Sequence, residues 1–101
     1  MNDQTLRKRI SAIASESVGS SSPRVIVLPH AKRQMKRRKV QPKQMYDVLI
    51  KGHVIEHAHR DIKGCWKCTL EHLTTGDLVK VAAALCQTEQ HEIVVVITVM
   101  N

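Results

Sequence analysis

Residues 92–100, EIVVVITVM, set the tightest limit on what this chain can fold into. From Ile93 to Val99 no charge interrupts the run. It is far too short to cross a bilayer, which takes about 20 helical residues. Its β-branched side chains favour extended backbone. A strand that is apolar on both faces belongs inside a sheet with cover on both sides. The segments before it supply neighbours. CWKCTLEHL (65–73) places Trp66, Cys68, Leu70 and His72 on one face. LVKVAAALC (78–86) follows after TTGD, a turn in which Gly76 suits a positive φ. With HVIEHAH (53–59) in front, these predict an antiparallel meander.

Upstream the period changes from two to that of a helix. QPKQMYDVLIKG (41–52) has Pro42 at a first helical position, Gly52 just past the end, and Met45, Val48 and Leu49 as an inner stripe. HAKRQMKRRK (30–39) follows VIVL (25–28), a short strand that Pro29 ends. In a helix, Ala31, Met35 and Arg38 lie near one direction, so Arg38 is expected to point inward or to the core's edge. Residues 3–17 place Leu6, Ile10 and Ile13 on one helical face, with Asp3 as the N-cap. VGSSSP (18–23) reads as a connector. The expected fold is α+β: two short helices on an antiparallel sheet of about four strands, preceded by an extra N-terminal helix. The boundaries are 1–23 for helix and linker and 24–101 for the domain. The first helix could dock on that domain or mediate self-association.

Composition constrains the core and the partners further. The 101 residues hold no Phe, one Trp and one Tyr, so aliphatic side chains must build the core. The same poverty argues against base-stacking platforms of the RNA-recognition type. The net charge is +7, which favours polyanionic partners. Eight Lys or Arg and no Asp or Glu lie between Ser17 and Tyr46, and no Lys or Arg follows Lys80. Lys32, Arg33, Lys36, Arg37, Arg38 and Lys39 fall on one predicted helix without the acidic i, i+4 partners exposed helices usually carry. Lys32, Arg33, Lys36, Arg37 and Lys39 are therefore candidate nucleic-acid contacts, with Arg suited to bidentate phosphate binding. A solvated charged face is the plain alternative. A helix-turn-helix over 30–52 fits poorly, because the second helix is mostly apolar.

His30 and Arg38 are the candidate catalytic residues. Cleaving RNA through its own 2′-hydroxyl needs a base, an acid and a cation at the phosphorane. His30 could be base or phosphate ligand, the arginines the cation, and His57 or His59 the second proton-transfer group. CWKC (65–68) resembles half of a zinc site, but residues i and i+3 of a strand point to opposite faces. No metal or other cofactor is expected. Three cysteines and no hydrophobic leader suggest free thiols in a reducing cytoplasm.

The stretch HAKRQMKRRKVQPKQMYDVLIKGHVIE, with VVVITV at the end, resembles a widespread bacterial domain of unknown function. Its pattern is H-A, R-M, R-G-I-S, a V-L helix, then G-x-V-I-E entering a strand. His30, Ala31, Met35, Arg38, Gly52, Val54, Ile55, Glu56, Ile97 and Thr98 fall in place over about residues 25–100. Gln34 stands where the pattern has Arg, Lys39 where it has Gly, and Gln41 where it has Ser. The resemblance extends to the RelE/ParE-like toxin superfamily. It implies a RelE-like fold and an RNA-directed, toxin-like module, with metal-independent endoribonuclease activity as its chemistry. A non-catalytic domain binding nucleic acid or a protein is the alternative. The expected partners are RNA or another nucleic acid, an acidic antitoxin-like protein, and a second copy in a homodimer built by helix 3–17 or a sheet edge; no membrane is expected.

Overall fold

A computed structural model describes all 101 residues. Its elements run α1 (Asp3–Ser17), β1 (Val25–Val27), α2 (Pro29–Arg38), α3 (Pro42–Lys51), β2 (His53–Arg60), β3 (Trp66–Thr74), β4 (Asp77–Gln87) and β5 (Glu92–Met100). The fold is α+β, as expected, but the sheet is neither four-stranded nor purely antiparallel. Five strands lie in the order β1-β5-β4-β3-β2. β1 pairs parallel with β5, Val25 to Val94 and Val27 to Val96, and the other pairs are antiparallel. A parallel pair needs a long crossover. Here α2, α3 and the meander form it.

The meander follows the alternation of its residues. Trp66, Cys68, Leu70 and His72 pair across β4 with Leu85, Ala83, Val81 and Val79 and share one face. Helices cover that face. Leu70, Val79, Val81, Val94, Val96 and Val99 are fully buried there against Met45, Val48 and Leu49 of α3. The opposite face has no helix. β5 is inside the sheet as its composition requires, yet Ile93, Val95 and Ile97 on its second side are only half-buried. The expected cover on both sides is absent from this single chain.

α1 is docked. Leu6, Ile10, Ile13 and Ala14 belong to the same buried cluster as the sheet. Ser11 Oγ donates to the Ile50 carbonyl at 2.8 Å, fixing α1 on α3. The N-cap is Asn2, whose Oδ1 accepts from the Thr5 amide at 2.8 Å, and not Asp3. Asp3 does something else. Its Oδ1 accepts from the Ala58 amide at 2.7 Å and its Oδ2 meets His57 Nδ1 at 2.7 Å. The helix thereby closes part of the open edge of β2.

That contact is pH-sensitive. The Ala58 amide and then His57 hold the Asp3 carboxyl below its ordinary 3.8, and bonding to Asp3 raises His57 above 6.5. A lowered carboxylate stabilises the folded state above its unfolded pKa and loses that contribution as pH falls through the folded value. A raised histidine stabilises it below its unfolded pKa and loses that as pH rises through the folded value. The pair is therefore firmest between 3.8 and 6.5. In Asp3→Asn, an NMR titration of His57 should show its pKa falling back toward 6.5. An unchanged titration would mean the contact is not made in solution.

Gly52 is required by close approach, since its φ of −66° suits any residue. A Cβ there would run into the Val48 carbonyl, 3.1 Å from the Glu71 carbonyl and 3.3 Å from Leu70 Cβ. α3 is further tied to the β3–β4 turn. Buried Gln44 donates from Nε2 to the Thr74 carbonyl at 3.2 Å, and Thr74 Oγ1 donates to Asp47 at 2.8 Å.

The free-thiol expectation holds for Cys68 alone. Cys65 and Cys86 are joined by a disulfide with Cα atoms 4.7 Å apart. The hairpin register explains it: Trp66 faces Leu85, so Cys65 and Cys86 come next, opposite each other. Burial pushes the Cys68 thiol up to about 11, so it stays protonated. No helix is long and apolar enough to cross a membrane.

Candidate nucleic-acid interface

α2 lies along the half of β5 that β1 leaves unpaired. β1 ends opposite Val96, and the Leu28 amide still reaches the Val96 carbonyl at 3.1 Å. Beyond that point Val99 has no strand neighbour on this side. Gln34 replaces one: its Oε1 accepts from the Val99 amide at 3.0 Å, and the side chain is buried. Leaving a buried amide unmet would cost roughly 1–3 kcal/mol. Gln34 thus has a structural role in this chain.

With Gln34 aimed at β5, the other α2 positions are fixed by 3.6 residues per turn. Ala31 and Met35 are buried. Met35 and Lys32 line a cleft of about 360 Å³ with Met45 and Tyr46 of α3. His30, Arg33 and Arg37 fall on the other side of Gln34, toward the face of the sheet that carries no helix. Lys32 and Lys36 flank the cleft side. The helix therefore carries cations on both shoulders, with His30 among the arginines.

Lys32, Arg33, Lys36, Arg37, Arg38 and Lys39 are all exposed. None has a carboxylate within ion-pair distance: the ion pairs are Arg9–Glu92, Arg24–Glu16, His53–Glu71 and His57–Asp3. The last turn of α2 places Lys36, Arg37 and Arg38 at the negative end of its dipole, which offsets part of their repulsion.

Arg38 does not point into the core. Angular position suggests an inward side chain, but Arg38 is the last helical residue and lies at the end of β5, where Asn101 Nδ2 donates to its carbonyl at 3.1 Å. There is no sheet left for it to cover. Arg38 has no carboxylate partner, and Glu56 accepts from Thr69 Oγ1 at 2.7 Å. Arg38 is one more exposed cation.

The proposed acid–base pair is not assembled. His57 and His59 lie on β2, at the far edge of the sheet from α2. Three strand spacings of about 4.8 Å separate β2 from β5 alone. His57 is bonded to Asp3, and His59 Nδ1 lies 3.1 Å from the His57 carbonyl. His30 is exposed on α2, with no second histidine on that helix. Neither aromatic is placed for stacking on a base: Trp66 is half-buried beneath Arg60, and Tyr46 is half-buried in the α2–α3 cleft. No cluster of His, Cys, Asp and Glu suits a metal ion.

Residues 27–101, from the last residue of β1 to the end of β5, match the model of the domain of unknown function DUF4258. The chain belongs to the DUF4258 family. No curated protein sequence and no solved structure matches it. The DUF4258 match leaves α1 outside, although α1 shares the core, and takes in the whole cationic helix and its cap.

Lys39 ends α2. It sits at φ 57°, ψ 38°, the left-handed cap of α2, where its amide meets the carbonyls of Met35 and Lys36. Glycine takes this conformation without steric cost, whereas other residues lose about 1 kcal/mol or more. Lys39→Gly should therefore raise stability by about 1 kcal/mol in urea denaturation while weakening binding to a polyanion. A loss of stability would show that the lysine side chain makes a contact of its own.

Proposed function

We propose that this DUF4258 domain is an RNA-directed module of the RelE-like toxin kind that grips the phosphate backbone through α2. One observation carries the reading: six exposed cations on a single ten-residue helix and its cap, none neutralised by a carboxylate. Such a ridge is stabilised when an anionic polymer screens it and releases its own counterions on binding. With no aromatic available for stacking, phosphate oxygens rather than bases are the ligands. An acidic antitoxin-like protein would meet the same ridge and compete with RNA.

Gripping is favoured over cutting. An endoribonuclease reading rests on His30 sharing a shoulder of α2 with Arg33 and Arg37, which would give a base beside cations. It lacks a general acid within reach, since His57 and His59 are across the sheet. Labelled RNA incubated with the wild type and with His30→Ala separates the two. The expected result is equal binding by both proteins and intact RNA. Cleavage by the wild type that His30→Ala abolishes would establish the enzyme instead. An absence of binding by either protein would end both readings.

A further inference from the structure

The disulfide between Cys65 and Cys86 stands on the face of the sheet that carries no helix. It lines a groove of about 430 Å³ together with Asp61, Ile62, Lys63 and Lys67. Both cysteines are half-buried, so a small molecule can reach the bond from the groove. Cys68 is shut out of any exchange with it, because it is buried in the core on the opposite, helix-covered face. The two bonded sulfurs can therefore exchange only with each other and with a thiol from outside.

The fold brings the two cysteines together without help from the bond. β3 and β4 pair without a break over nine positions, from Thr74 opposite Asp77 to Trp66 opposite Leu85. Cys65 and Cys86 come next, and Cys86 is itself held by β5, opposite Ile93. The β2–β3 loop holds Cys65 from the other side. Its amide donates to Asp61 Oδ1 and its carbonyl accepts from the Asp61 amide, each at 2.9 Å. Opening the bond leaves all of these contacts in place, so the sulfurs stay within reach of one another.

The geometry points to Cys65–Cys86 as a reversible redox site, opened and remade in the folded protein by a small anionic thiol of the glutathione class. The attacking thiolate bonds to one cysteine sulfur, the S–S bond breaks, and the other sulfur leaves as a thiolate that takes up a proton. A second thiolate then attacks the external sulfur of this mixed disulfide. It releases the remaining cysteine and an external disulfide, so two external thiols are oxidised as the protein bond is reduced. Charge selects the reagent. Asp61 is the only acid lining the groove, against Lys63 and Lys67, and Arg33 and Arg37 of α2 fall toward the same face. Neither lysine has an ion-pair partner. Cations there draw in a thiol that carries carboxylates and stabilise the departing cysteine thiolate.

The test treats the oxidised full chain with about 5 mM reduced glutathione near neutral pH, quenches with acid, and alkylates in denaturant. Mass spectrometry then counts one alkylated thiol in the oxidised chain and three in the reduced one. Reduction of the folded chain should run within about 30-fold of its rate in urea-unfolded chain, and excess oxidised glutathione should restore the bond. Far-UV circular dichroism should show the sheet intact in the reduced form. A slower reduction, or loss of the fold on reduction, overturns the inference and makes the bond a structural staple. The double variant Lys63→Gln, Lys67→Gln should react about 3–10-fold more slowly with glutathione, with the Tm of the oxidised chain unchanged. An equal rate in that variant overturns the assignment to an anionic thiol.

Discussion

RNA binding by the double variant Arg33→Gln, Arg37→Gln should be roughly 30–100-fold weaker than wild type at about 0.1 M salt. Both side chains are exposed on the same shoulder of α2, and neither has an ion-pair partner in the protein. Nothing in the fold depends on them. Their removal relieves repulsion with Lys36 and Arg38, so stability should hold within about 0.5 kcal/mol or rise slightly. Glutamine keeps the length and some hydrogen bonding but not the charge. Filter binding or fluorescence anisotropy reads the affinity, and a thermal melt reads the stability. Unchanged affinity with unchanged stability would make the ridge a plain solvated surface.

Leu6→Ala together with Ile10→Ala should come close to unfolding the whole protein. Both side chains are fully buried between α3 and the sheet. Each large-to-small change in a packed core costs about 2–5 kcal/mol, and neighbouring sites on one helix face do not add simply. A combined loss of about 4–8 kcal/mol rivals the total stability of a domain this size, about 5–15 kcal/mol. The expected readout is a single transition shifted far down, with the sheet lost together with the helix. A variant that keeps a folded sheet while α1 detaches would show that residues 24–101 stand alone. The DUF4258 match begins at residue 27, so this tests whether α1 is an accessory or a structural part of this chain.

The meander was legible because its residues alternate: Trp66, Cys68, Leu70 and His72 share the face that a period of two assigns them. Its bonded cysteines were legible in principle. Cys65 and Cys86 are equidistant from the Thr75–Gly76 turn, so fixing that turn fixes their pairing. Three features depended on where elements end relative to one another, which local pattern does not encode. The parallel placement of β1 beside β5 is a long-range choice. Arg38 occupies a core-facing angle but lies where the sheet stops. Gln34 looks like a polar flank until β1 is seen to end early and leave the Val99 amide without a strand partner. In the candidate site, the cationic ridge was read directly from composition, because no distant acid returns to neutralise it. The pairing of His30 with His57 or His59 was not, because sequence spacing says nothing about opposite edges of one sheet.

In the proposed function, α2 offers its charges to an anionic polymer. The most direct measurement is the affinity of the full chain for RNA as salt is raised from about 50 to 300 mM. Four or five phosphate contacts should give a slope of about −3 to −4 in log affinity against log salt. A flat response, or no binding at the lowest salt, would contradict the account.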